Sequence, residues 1–491
     1  MTYPPGPPSP YPGPFIPGFP PMPPPAPPLE DATAPEPPPP GSGRGSVWST
    51  IVAWVVIAAV VGLIAAPAEW FDWRGAVRSA RTTTPAALPA VEQVRSGQVQ
   101  LAGRYAVGAR GLTGDVGVGQ LAASVENAAT DPLGRFRAIP VVGELLGPAA
   151  ALERLDKFEA DHTVVRLRRD VDVLRALYGG RAITDDDRRY LAGRHGWAGK
   201  LAGTFGLADT DPARRAVLGA ARRTLVSFGV TTFAVLFALA AGIALLVVAI
   251  VRMAKGKFVH AYRRPGAGSS SAVFAEAVAI YLGLFFGGSV LISLAWPSAG
   301  LAAAYALAVV VPLAVAWIRL RGVSPDELRY GLGLHAGRGV FREIGAGVVG
   351  YVAGLPVVAL GMLVTIFLIR NFGQPGQGAH PIADTPMDSP LAVVQLFLIA
   401  AVLAPVTEEI MFRGALLHHL RRRLPWLPAA LLTSVIFAAI HPQGWVAIPT
   451  LTAVAMVLAG IRQWRGSLVG PITAHALNNA GAVLFLVLAA G

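Results

Sequence analysis

The feature that most constrains this chain is a series of apolar runs close to the length of helix that crosses a bilayer, about 20 residues. They fall at 47–66, 225–251, 273–295, 299–318, 344–369, 391–412, 426–441, 446–461 and 467–490. Nine such runs predict an all-α, polytopic membrane protein, because in hydrocarbon each segment must satisfy its own backbone polar groups. Composition agrees. The 491 residues are 53% hydrophobic and only 14% charged, whereas a soluble domain carries about 25% charged residues. A single soluble domain is excluded.

The net charge of +12 comes with no basic run interleaved with aromatics, so nucleic acid is not an expected partner. Arginine in short cytoplasmic loops explains it better. Arg252, Lys255, Lys257, Arg263 and Arg264 follow the second run. Arg319, Arg321, Arg329, Arg338 and Arg342 lie between the fourth and fifth. Arg421, Arg422 and Arg423 follow the sixth, and Arg462 and Arg465 the eighth. With nine spans all four groups fall on one side, which places the N-terminus in the cytoplasm and the C-terminal Gly491 outside. There are no cysteines, which removes disulfides, a thiol nucleophile, thiolate zinc sites and S-acylation. The preference for Arg over Lys, with abundant Ala, Gly and Pro, reads as GC-rich bacterial coding, so the expected location is a bacterial cytoplasmic membrane.

Two segments interrupt the apolar pattern. Residues 1–45 include 20 prolines in the first 40 positions and are expected to be a disordered tail of polyproline II character. The first span follows at 46–67. Residues 68–223 then hold 41 of the 70 charged residues. Apolar positions there recur at three- and four-residue spacing, and Asp131-Pro132 and Thr184-Asp-Asp-Asp look like helix starts. This is an expected soluble, mainly helical domain, placed outside the membrane where it would meet an extracytoplasmic partner. Its His162 and His195 read as surface or packing residues. A span with a basic flank follows at 224–262, and 273–491 forms the membrane core.

Ionisable groups inside spans are informative, since each costs about 2.5–3.5 kcal/mol at the bilayer centre. The last third has three sets: Thr407-Glu408-Glu409-Ile410-Met411-Phe412-Arg413, Phe437-Ala438-Ala439-Ile440-His441, and His475-Ala476-Leu477-Asn478-Asn479. Counted from the basic residues or Trp426 at the cytoplasmic ends, Glu408, His441, His475 and Asn479 lie roughly 15–22 Å deep. Four polar groups on three helices therefore share one layer. Glu409 and Arg413 are spaced for an i,i+4 ion pair, which leaves Glu408 without a cation. A buried carboxylate of that kind is suited to take a proton from water, and a neutral His441 could hold the same water. His475 and Asn479, one turn apart, could donate to a developing oxyanion. The bland alternative is a polar layer that only holds helices together.

The three sets resemble the motifs of the CAAX-protease and bacteriocin-processing (CPBP) family of intramembrane endopeptidases, which includes the type II CAAX prenyl endopeptidases. Glu408, Glu409 and Arg413 match its Glu-Glu-x-x-x-Arg pattern, Phe437 and His441 its Phe-x-x-x-His, and His475 and Asn479 its His-x-x-x-Asn. The clear resemblance covers 391–491. It implies hydrolysis of a peptide bond in a membrane protein or peptide, with Glu408 and His441 activating water and His475 and Asn479 holding the oxyanion. Both a metalloprotease and a metal-free, glutamate-mediated route are attached to the family. Glu408, His441 and His475 would suit zinc, yet the contiguous His-Glu-x-x-His helix motif is missing, and both routes stay open. Bacterial members without prenylated substrates mean that CAAX cleavage does not carry over. Neither the Pro-rich tail nor 68–223 belongs to the family core.

The rival reading is a non-catalytic membrane scaffold or immunity-type protein that uses the same fold to bind a peptide or partner. A transporter ranks lower, because no paired, broken half-repeats stand out. Gly345-Ala-Gly347-Val-Val-Gly350 fits GxGxxG but lies inside a span, where small residues serve helix packing. His418 and His419 are expected to interact with headgroups or the helix C-terminus rather than a metal. Glu276 lies close enough to the start of its span to reach the interface and is given no role.

Overall fold

The computed structural model describes residues 46–65, 90–161, 167–258, 260–266, 270–296, 301–373 and 390–490. Among the described residues every regular element is a helix. The expected disordered tail and His162 lie outside them. Helix α1 (Val47–Ala65) is apolar throughout and packs against α9 (Ser271–Ala295). Ser46 caps it, its hydroxyl accepting from the Ser49 amide at 3.0 Å.

Six helices follow: α2 (Ala90–Thr113), α3 (Val118–Ala128), α4 (Pro132–Leu146), α5 (Pro148–Asp161), α6 (Arg168–Tyr178) and α7 (Asp185–Gly203). Their starts follow local chemistry. Asp131 accepts from the Gly134 amide at 2.9 Å ahead of Pro132, and Thr184 with Asp187 forms a capping box. Two apolar clusters hold this group, one around Val99, Val125, Val141 and Leu201, the other around Phe136, Leu155, Leu174 and Leu191. His195 is a packing residue, buried against Phe136 with Nε2 2.8 Å from Asp170 Oδ1.

Helix α8 (Pro212–Ala254) belongs to both worlds. Its Val217 and Ala221 are core of the charged domain, while Phe233, Leu236 and Phe237 are 72%, 60% and 67% exposed. Exposure of that kind requires an apolar surrounding. Helix α8 packs along α2 and along α13 (Val340–Phe372).

Between α9 and α13 lie α10 (Leu301–Leu307), α11 (Val310–Leu320) and α12 (Pro325–Leu332). Helix α12 starts at Ser324, which accepts from the Glu327 amide at 3.1 Å, and ends at Gly333 with φ +79°. The last third comprises α14 (Pro390–Arg421), α15 (Trp426–Ala439), α16 (Ile448–Arg465) and α17 (Val469–Ala490). Helix α16 packs on α13 and α15, and α17 on α13. Gly347 and Gly350 lie where α13 meets Gly470 and Ile461, so these two glycines are helix-packing surface, while Gly345 has no such neighbour among the described residues.

Six helices are long and apolar enough to cross a membrane: α1, α8, α9, α13, α14 and the stretch Trp445–Arg465. Among the described residues this count does not confirm the expected nine. The run at 299–318 is broken between α10 and α11. Helix α15 has 14 residues, about 21 Å against a hydrocarbon core of about 30 Å.

Three expectations for polar side chains need correction. Glu276 does not reach the interface; it is buried, accepts from Trp317 Nε1 at 3.0 Å and pairs with Arg321 Nε at 3.2 Å. His418 and His419 are not among headgroups. His418 Nδ1 is 3.2 Å from the Tyr262 hydroxyl, and His419 bridges Trp54 Nε1 (3.2 Å) and the Ser271 carbonyl (2.9 Å). Arg462, counted above as a loop arginine, is fully buried. The cause is common to all four: their partners lie far along the chain, and distant partners leave no local pattern.

Candidate active site

Helix α14 is interrupted by π-helical segments at Ile399–Leu403 and Ile410–Leu416, immediately before and after the helical stretch Ala404–Glu409 that carries both glutamates. Such wide turns are rare and collect at functional sites. Carbonyls in both segments take side-chain donors from other helices. Ala400 O accepts from Asn479 Nδ2 at 2.9 Å, and Arg413 O accepts from Arg462 Nε at 3.3 Å. Arg462 also donates to Gly331 O at 3.1 Å. Its guanidinium lies against Gly333, where a side chain would collide with it.

Glu409 and Arg413 are both completely buried, with Arg413 Nη1 2.8 Å from Glu409 Oε1. The same oxygen is 2.9 Å from His475 Nδ1. Glu409 thus joins α14 to α17 and sets the imidazole, because a ring that gives its Nδ1 proton to Glu409 turns Nε2 away from it. Nε2 lies 3.7 Å from Glu408 Oε2. The expectation that Glu408 stands without a cation is therefore amended: His475 faces it. Among the described residues, Glu408 Oε2 is buried and has no hydrogen-bond partner.

Phe437 is the hub of the second motif. The Arg413 guanidinium lies 4.5 Å above its ring, and its centroid is 4.4 Å from His441, 5.1 Å from Phe412 and 6.0 Å from His475. His441 Nδ1 is 2.6 Å from the Phe437 carbonyl, which assigns the lone pair of the neutral ring to Nε2. Glu408, Glu409, Arg413 and His475 thus form one contact network. His441 joins it through Phe437, and Asn479 is fastened one turn further along α17.

Sequence reasoning missed two groups beside Asn479. Asn478 Nδ2 donates to Asn479 Oδ1 at 3.1 Å, and the Tyr351 hydroxyl of α13 donates to Asn478 Oδ1 at 3.3 Å. Asn478 sits inside the third motif and was visible there. Tyr351 lies 127 positions away and carried no signal.

Two imidazoles and a carboxylate are zinc-type donors, and a ring held through Nδ1 is the usual support for a ligating Nε2. Among the described residues, however, no three of His, Asp and Glu gather as a metal set. The arrangement does not fit a metal as it stands, and no step below is routed through one.

Residues 390–481, from the start of α14 into α17, match the family model described as type II CAAX prenyl endopeptidase Rce1-like. That segment contains all three motifs, and the match is to the family they resemble. The chain thus has the apolar helices of a membrane protein, and its last third is similar to that family model. No curated protein and no solved structure matches it.

Proposed function

We propose that the chain is an intramembrane endopeptidase that hydrolyses a peptide bond of a membrane-associated protein or peptide, in the cytoplasmic membrane of a bacterium. The observation that carries this reading is His475 held between Glu409 at 2.9 Å and Glu408 at 3.7 Å. A layer that merely bound helices together would have no use for a carboxylate oxygen left without a donor.

In the proposed reaction a water lies between Glu408 and His441. Glu408 takes one of its protons while His441 Nε2 accepts a hydrogen bond from the other. The water oxygen bonds to the scissile carbonyl carbon, and the negative charge passes to the carbonyl oxygen. Asn479, with one Nδ2 hydrogen on Ala400 O, gives its second to that oxygen. His475, its Nδ1 directed at Glu409 Oε1, gives a hydrogen bond to the same carbonyl oxygen through Nε2. The carbon–nitrogen bond then breaks as Glu408 returns its proton to the departing amine. Preorganised donors of this kind act where charge develops, in a site from which bulk water is excluded.

The test compares new N-termini in membranes carrying wild type or Glu408→Gln. A set present only with wild type is expected, and a peptide across one such site then serves as substrate. Glu408→Gln and His441→Ala should abolish turnover. His475→Ala and Asn479→Ala should retain some, because loss of one oxyanion donor costs about 10²–10³ in rate. Purified enzyme stripped with a strong chelator is expected to keep its activity; restoration by zinc alone would instead make Glu408, His441 and His475 ligands. If Glu408→Gln cleaves as well as wild type, the enzyme reading is wrong and a peptide-binding scaffold takes its place.

A further inference from the structure

We propose that Tyr351 and Asn478 are positioning residues that fix which way the Asn479 carboxamide faces. The inference rests on the oxyanion role given to Asn479 above. A carboxamide has nearly the same shape in two orientations related by a half-turn, but only its nitrogen can donate to an oxyanion. In an apolar membrane interior, packing alone does not distinguish the two. Hydrogen bonds do.

Three bonds in series make the distinction. The Tyr351 hydroxyl donates to Asn478 Oδ1 at 3.3 Å, Asn478 Nδ2 donates to Asn479 Oδ1 at 3.1 Å, and Asn479 Nδ2 donates to Ala400 O at 2.9 Å. All three point the same way, from α13 through α17 to the first π-helical segment of α14. One end of the series has fixed polarity: the Ala400 carbonyl can only accept, whereas the phenol can donate or accept. Turning Asn479 over would set its oxygen against Ala400 O and its NH2 against that of Asn478. Turning Asn478 over would set its oxygen against Asn479 Oδ1, although its NH2 could still donate to the Tyr351 oxygen. The Ala400 carbonyl and the Asn478 amide thus set the orientation of the Asn479 carboxamide from its two sides. The Tyr351 hydroxyl, from another helix, supplies the donor that the Asn478 oxygen needs in that arrangement. Tyr351 is well supported for this task, since it packs against the cluster of Val358, Leu458 and Ala474 where α13, α16 and α17 meet.

The experiment is a set of double-mutant cycles on the purified full-length enzyme, with the Glu408-dependent peptide as substrate and thermal unfolding recorded for every variant. Tyr351→Phe, which keeps the ring, should lower kcat about 2- to 10-fold with KM unchanged, the value of one hydrogen bond. Asn478→Ala should lower it further, at most to the level of Asn479→Ala. In the Asn479→Ala background, both substitutions should alter kcat by less than about 2-fold, because residues that act through one partner are not additive. If either keeps its full effect without Asn479, it acts on the fold and the inference is overturned. Wild-type kcat in Tyr351→Phe and Asn478→Ala, with Glu408→Gln inactive, would also overturn it while leaving the enzyme intact. Cleavage by Glu408→Gln would instead remove the enzyme reading itself.

Discussion

Glu409 serves two partners through one oxygen, Arg413 at 2.8 Å and His475 at 2.9 Å, and neither Glu409 nor Arg413 is exposed at all. Arg413→Ala would leave that carboxylate buried with its cation gone, a loss of about 3–5 kcal/mol in comparable pairs. The expected outcome is a lower unfolding temperature in detergent and less protein in the membrane; a variant that folds as wild type but is inactive would move Arg413 into the chemistry. Sequence spacing exposed this pair because its members are one turn apart. It could not expose the third member, which lies 66 positions away. A second residue-scale prediction concerns His195. Burial holds this imidazole below its ordinary value, more than the hydrogen bond and charge of Asp170 restore, with Arg137 and Arg194 adding repulsion. Its Nδ1 is buried without a hydrogen-bond partner among the described residues. A folded value below the unfolded one means that the unfolded chain binds more protons. The stabilisation is present in full above the ordinary imidazole value of about 6.5 and is lost as pH falls through the lower folded value. Hydrogen exchange of the α7 amides in the full-length protein, corrected for intrinsic rates, should therefore show weaker protection at acid pH. His195→Gln should flatten that dependence.

The helices themselves were largely legible. Apolar length located α1, α8, α9, α13 and α14, and the Asp131 and Thr184 signals marked the starts of α4 and α7. The internal form of α14 was not. A π-helical segment needs no special residue, and Ile399-Ala-Ala-Val-Leu403 reads as ordinary apolar helix. Two features favour it: Pro405, which has no N–H for the carbonyl four residues earlier, and the Asn479 amide on Ala400 O. Deletion of Val402 tests the importance of this form. Removing one residue should let the segment close into α-helix and rotate everything before it by about 100° relative to Glu408. Ala400 O would then leave Asn479. The expected result is a protein that still enters the membrane but has lost most of its activity, measured as cleavage per amount of inserted protein.

At the scale of the whole molecule, the Arg and Lys count predicts opposite compartments for tags placed near Ser42 and Asp161. Both tags on one side would remove the first span from the proposed topology. The motifs pointed to residues that the fold brings near one another, Glu408, Glu409, Arg413 and His475. They could not reveal that Arg462 is interior, because a buried arginine and a loop arginine look alike in sequence. Nor could they show how the charged domain is mounted, and here α8 matters. It is one helix of 43 residues, with no break between the Val217 and Ala221 that anchor it in that domain and the Gly242 that lies against Val352 of α13. A flexible tether would let the domain drift over the membrane without regard to what lies below. An unbroken rod behaves as an indexing shaft instead. One residue inserted within its membrane half would turn the domain by about 100° and lift it by about 1.5 Å, so the angle at which the domain meets any partner is set by the residue count of α8.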